Sequence, residues 1–302
     1  MRDVQVLFTK KMEKKIRNSN IEVLRFLLMT FILIWHIIVH GYNFQAIGFE
    51  GFTYKANVPL SLFFASLTLP ATYCFVFISG YFGITLRLNK LIELALWCIF
   101  VSVGVTFIKK FLLHDEISMR ELWEAFFPIT ANKWWFMTAY VQLFVLSPFL
   151  NYGMEKLCQR KQQIVLLLIY LFSIARMFMG CANAGSSLMG VVFVYLLGRY
   201  FKQHGVWNYN KSRLCYLISL IAFFVITMSV YYISCISGKK SILKLIFYFM
   251  GYANPLIIVM AISIFFIVLH QRVWENKVVN KLLAANLFIY LITESFGGGK
   301  YL

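Results

Sequence analysis

The chain has 302 residues, 61% hydrophobic and only 14% charged, with a mean hydropathy of +0.74. Soluble domains carry about 25% charged residues, so this balance excludes an ordinary soluble fold and indicates an integral membrane protein. The net charge of +17 is no nucleic-acid footprint, because the 29 Lys and Arg fall mostly in loops at span ends and form no basic stripe interleaved with aromatics.

In chain order, residues 1–20 form a basic amphipathic lead-in with Arg2, Lys10, Lys11, Lys14, Lys15 and Arg17, expected to stay in the cytoplasm. Apolar runs then predict spans at about 21–40, 60–83, 91–108, 134–150, 163–180, 186–201 and 214–235, near the roughly twenty residues that cross a bilayer. Residues 109–133 read as an external loop holding a short amphipathic helix, and Trp134–Trp135 as an interfacial anchor. The turn CANAGSS (181–187) suits a tight connection between closely packed helices. Residues 245–270 are interrupted by Gly251 and the Asn254–Pro255 step, giving either one kinked span or a half-helix followed by a span. A ninth run covers 282–296, and the glycine-rich tail 297–302 reads as a truncation scar or linker.

The expected fold is therefore all-α: a polytopic integral membrane helical bundle of about nine spans, forming one transmembrane domain over 21–296. Its inner segments hold 18 Lys and Arg against 8 in the outer ones, which places the N-terminus in the cytoplasm. The six cysteines lack CxxC spacing and read as small packing residues, with a Cys181–Cys235 disulfide on the outer side as the alternative.

Within the first span, Arg25 and His36 are separated by ten uncharged residues. Eleven positions at about 100° each put both side chains on one helix face, roughly 16 Å apart along the axis. Ionisable groups inside a span are costly and count as functional by default. His36 suits proton transfer near neutrality, the alternative being a buried imidazole that only bonds a neighbouring helix. Arg25 suits bidentate binding of a donor's phosphates, or an ion pair with Glu22 that eases burial. His40 shares the face, but no third ligand of comparable quality accompanies it, so no metal is expected. Ser79–Gly80 marks a close-approach point for a helix or ligand. Glu93 and Arg176 lie in apolar runs, and Glu93 has Lys90 nearby to neutralise it. Trp135, Tyr140 and their neighbours read as an interface belt and packing.

RNSNIEVLRFLLMTFILIWHIIVH, FISGYFG, KWWFMTAYVQLFVLSPFLN and LFIYLITES, in that order, resemble the acyltransferase 3 family, and most of all the bacterial enzymes that O-acetylate surface polysaccharides. The similarity runs over about 17–296. It implies a bundle of about ten spans in the inner (plasma) membrane that moves acetyl groups from cytoplasmic acetyl-CoA to a hydroxyl of an envelope glycan or lipid-linked sugar. His36 would be the base or transient acyl carrier, and Arg25 and Lys90 donor-side contacts; Glu22, Ser79, Glu93, Trp135, Tyr140 and Arg176 are supporting candidates. The family's Arg-x-x-Arg motif is replaced here by a region with Lys90 and Glu93. Its late YLIH-type motif reads Tyr290–Leu291–Ile292–Thr293, without the His, and its last span is missing. The competing readings are a glycolipid transporter, which should show paired broken helices in two related halves, and a non-enzymatic membrane scaffold.

Overall fold

The computed structural model describes residues 18–38, 57–112, 114, 116–179, 185–282, 290–292 and 294–295. Among them the secondary structure is entirely helical, with twelve helices. They are α1 (Ser19–His36), α2 (Asn57–Thr68), α3 (Pro70–Phe82), α4 (Leu88–Phe111), α5 (Met119–Phe126) and α6 (Trp135–Lys156). Then come α7 (Gln159–Phe178), α8 (Leu188–His204), α9 (Tyr209–Ser237), α10 (Lys240–Phe249), α11 (Pro255–Leu269) and α12 (Lys277–Leu282).

Eight of the nine expected runs fall on helices; most of the ninth lies outside the described residues, as do His40, Cys181 and the tail. By length and composition, however, four described stretches can cross a membrane: α1, α2–α3 together, α4 and α9. The difference has a chemical reason. Helix α7 spends its first turns on Gln159, Arg160, Lys161, Gln162 and Gln163; α6 mixes in Gln142, Ser147, Asn151 and Glu155; α8 and α11, at 17 and 15 residues, are short. Cys235 is a free thiol, so it forms no disulfide.

The breaks are written in the side chains. At the Asn254–Pro255 step the chain divides into two helices, α10 and α11. Asn254 caps α11 by accepting from the Leu256 N–H and donates to the Phe249 carbonyl, while Pro255 stands at the helix start, where its missing N–H costs nothing. A second proline-led start, at Pro70 of α3, was not expected. Pro148 lies inside α6 without ending it. The carbonyl of Phe144, which Pro148 cannot bond, accepts the Ser147 hydroxyl at 2.7 Å. The amphipathic α5 opens with a capping box, Ser118 and Glu121 bonding each other's backbone.

Helix α3 is the centre: every residue from Pro70 to Tyr81 except Phe75 is buried. It lies against α8 with almost no side chain between the backbones. A Cβ on Gly80 would collide with the Tyr195 carbonyl, and one on Gly198 would stand 2.7 Å from the Phe77 oxygen. The close approach expected at Ser79–Gly80 is therefore present, and α8 supplies its other half. Below it, the Gly83 turn is locked by a ring of hydrogen bonds. Tyr195 donates to Asn151 at 2.8 Å, Asn151 donates to the Ile84 carbonyl at 2.9 Å, and the Ile84 N–H donates to Tyr195 at 3.0 Å. Helices α4 and α9 are peripheral, with only 28% and 22% of their apolar windows buried, so large residues such as Phe100, Phe107, Leu217 and Ile221 point outward. A protein with such helices keeps these faces in lipid.

Candidate active site

Helix α1 begins at a capped, tied-down end. Asn18 accepts from the Asn20 N–H, Ser19 donates to the Trp274 carbonyl at 2.9 Å, and the Ser19 hydroxyl accepts from the Asn276 N–H at 2.8 Å. The start of α1 and the 272–276 connection thus share one end of the bundle. Near it, Glu22 is buried and Arg25 partly so, their side chains 3.0 Å apart. That is the i,i+3 pair that makes a buried carboxylate tolerable.

At the other end of α1, His36 is buried, and its Nε2 stands 2.6 Å from Glu294 Oε2. The two side chains are 11% and 19% exposed, so the pair is largely out of water, where charge-assisted contacts are strong. Glu294 was not among the expected site residues. Its signal was available: an acidic side chain inside an apolar run that ends a few residues later.

Around this pair the structure stacks rings. Tyr290, one helical turn before Glu294, lies 6.2 Å from the His36 ring, and Phe136 lies 5.7 Å from Tyr290. Phe136 touches Tyr140 at 5.9 Å, whose hydroxyl is 3.2 Å from the Ser79 hydroxyl. Trp135 packs on Tyr252, which stacks on Tyr73 and meets Thr72. Three supporting candidates, Ser79, Trp135 and Tyr140, therefore belong to one aromatic wall that leads to His36. Two others do not. Lys90 and Glu93 form an exposed pair at 2.7 Å, nineteen residues before Lys109 and so about 28 Å down α4 from that end. Arg176 is exposed on α7.

The last element of the site is cationic. Lys109, in the final turn of α4, donates to the Ser295 carbonyl at 2.9 Å, one residue beyond Glu294. Lys133, just before α6, donates to Ser102 on α4 at 2.9 Å. Burial, and then the charge of Lys109, pull the Lys133 ammonium down to about 8 despite Glu124 and Glu121. Among the described residues no group of three His, Cys, Asp or Glu side chains could hold a metal ion.

An imidazole backed by a carboxylate, lined by aromatic rings and set in a bundle of lipid-facing helices, is the kind of site that takes a proton from a hydroxyl within a membrane enzyme. The sequence profile of the acyltransferase domain family, Acyl_transf_3, matches residues 18–293, and the chain belongs to that family. It is thus an integral membrane enzyme that transfers acyl groups. No curated protein and no solved structure matches the chain. Glu294 lies one residue past the matched segment.

Proposed function

We propose that this protein is an acetyl-CoA-dependent O-acyltransferase of the plasma membrane that acylates a hydroxyl of a cell-envelope polysaccharide or a lipid-linked sugar. Family membership supplies acyl transfer, the His36–Glu294 pair supports a base for a hydroxyl acceptor, and the choice of acetyl-CoA and an envelope glycan follows the sequence resemblance. With Nε2 engaged by Glu294, the imidazole is fixed in orientation, and proton exchange with the acceptor hydroxyl runs through Nδ1. As the hydroxyl oxygen attacks the thioester carbonyl carbon, His36 takes its proton, and Glu294 stabilises the imidazolium that forms. The tetrahedral intermediate expels the CoA thiolate by C–S cleavage, and the proton on His36 leaves with the thiol. A transient acyl-imidazole on His36 is the variant of the same chemistry in two steps.

In this reading the N-terminus is cytoplasmic, the chain crosses the membrane about nine times, and the Arg25 end faces the cytoplasm. Arg25 binds the donor's phosphates there, with Lys90 at the same end of the bundle. The roughly 16 Å between Arg25 and His36 is then bridged by the long pantetheine arm, which delivers the acetyl group to the outer half of the membrane.

The test is purified protein in detergent with acetyl-labelled acetyl-CoA and a bacterial glycan extract, wild type against His36→Ala. Wild type should produce labelled glycan or labelled protein. The variant should insert and unfold normally but lose transfer by at least ~10²-fold, the usual contribution of a positioned base. Full transfer by His36→Ala would remove the role given to His36.

A further inference from the structure

The mechanism above leaves the cations at the His36 end unused, and their surroundings are specific. Lys133 belongs to the segment that connects α5 to α6, yet its side chain turns inward to the buried hydroxyl of Ser102. No carboxylate among the described residues lies within ion-pair distance of it. Its ammonium stands 5.6 Å from the centre of the Trp134 ring. Trp134 itself is fully buried, and its indole N–H has no acceptor among the described residues. A buried donor without an acceptor is rare in folded proteins, and a half-buried cation set on a neutral hydroxyl is costly. The partly exposed Lys133 ammonium lacks an anionic partner among the described residues, and one oxygen-rich, negatively charged group would supply it.

We propose that Lys133, set on Ser102 and beside Trp134, is the acceptor-side subsite for an oxyanion: a carboxylate or phosphate carried by the sugar unit whose hydroxyl is acylated at His36. Its position fits. Lys109, close enough to Lys133 for their charges to repel, is bonded to Ser295, the neighbour of Glu294. The anion therefore docks next to the catalytic pair, at the end of α1 away from Arg25, and the two ends of the enzyme hold donor and acceptor by separate charges. This assignment of substrate class rests on the acyltransfer reading. The acceptor is an acidic unit, a uronate-type sugar or a sugar diphosphate, rather than a neutral one. The groups facing Lys133 are Lys109 from α4 and Glu121 and Glu124 from α5, so binding should weaken as pH rises through about 8 and the ammonium is lost.

The experiment is isothermal titration calorimetry on the purified chain at pH 7 with three probes: a hyaluronan tetrasaccharide, geranyl diphosphate and neutral chitotetraose. Wild type should bind an anionic probe at least tenfold tighter than chitotetraose. Preference for the hyaluronan fragment names a carboxylate source, and preference for geranyl diphosphate a phosphate source. Lys133→Met and Lys133→Gln, each checked for cooperative thermal unfolding, should lose that tenfold preference. Retention of the preference in a folded variant, or equal binding of all three probes by wild type, overturns the proposal. CoA release with each acceptor is measured in parallel. Its absence with every acceptor strikes the acyltransfer reading, whereas the calorimetry alone decides the anion subsite.

Discussion

Replacing Glu294 by Gln changes the site's charge while keeping its shape. The carboxylate stands 2.6 Å from His36 Nε2, with the two side chains 11% and 19% exposed, so solvent can do little to replace what is lost. A neutral amide there cannot stabilise an imidazolium and no longer selects one imidazole tautomer. In a serine-protease triad whose histidine is oriented by a carboxylate, the corresponding amide costs about 10⁴ in turnover. Positioned acid–base catalysis as a whole is worth ~10² to 10⁴. A lone His36 keeps part of that, so Glu294→Gln should lower turnover by ~10² to 10³, or about 2.7 to 4.1 kcal/mol at about 1.36 kcal/mol per decade. The assay is initial-rate CoA release under saturating acceptor, with acetyl-CoA varied. The KM for acetyl-CoA should stay within about twofold, because the proposed phosphate contact, Arg25, lies at the far end of α1. Glu294→Asp, which retains the charge but withdraws it, should recover part of the loss. A Glu294→Gln enzyme within about threefold of wild type would refute the assignment of Glu294 as the residue that positions His36.

Two stability predictions use other parts of the bundle. Gly80→Ala places a methyl against the backbone of Tyr195, which cannot move aside as a flexible side chain would, so unfolding in detergent should come at lower temperature by an overpacking cost of about 1–3 kcal/mol. Gly104→Ala, with open space around it, should show no such loss. Lys133 titrates at about 8 when folded and near its ordinary 10.5 when unfolded, so the unfolded chain holds the extra proton between those values. Wild-type stability should therefore rise from pH 8 to 10 relative to Lys133→Met, measured by thermal scans across that range. A constant difference between the two proteins would show that Lys133 is not desolvated.

Much of the architecture is legible in the sequence because hydrophobic runs and helix breakers act locally. The Asn254–Pro255 break, the amphipathic helix near 119–126 and the small-residue contact at Gly80 all follow from nearby side-chain chemistry. Arg25 and His36 could be placed on one face by counting turns. What could not be read was which distant residues close around His36. Glu294 and Tyr290 lie more than 250 positions away, and a motif search for a missing His at Thr293 directs attention one residue short of the carboxylate that His36 meets. The setting of Lys133 was hidden for the same reason. In a loop with several other charges it reads as an orienting cation, and only its inward turn to Ser102 separates it from them.

The contact between α3 and α8 also constrains how the enzyme can move. Gly80 and Gly198 let two backbones touch, and the Tyr195–Asn151–Ile84 ring bolts the end of α3 to α6 as well. Three helices joined in this way cannot slide or tilt independently without breaking several contacts at once, and so they behave as a fixed spine. Any movement that admits an acyl donor or acceptor must then come from the parts around that spine, α1 with its tethered start and the thinly covered α4. Phe136 and Tyr140 sit on α6 and so belong to that spine.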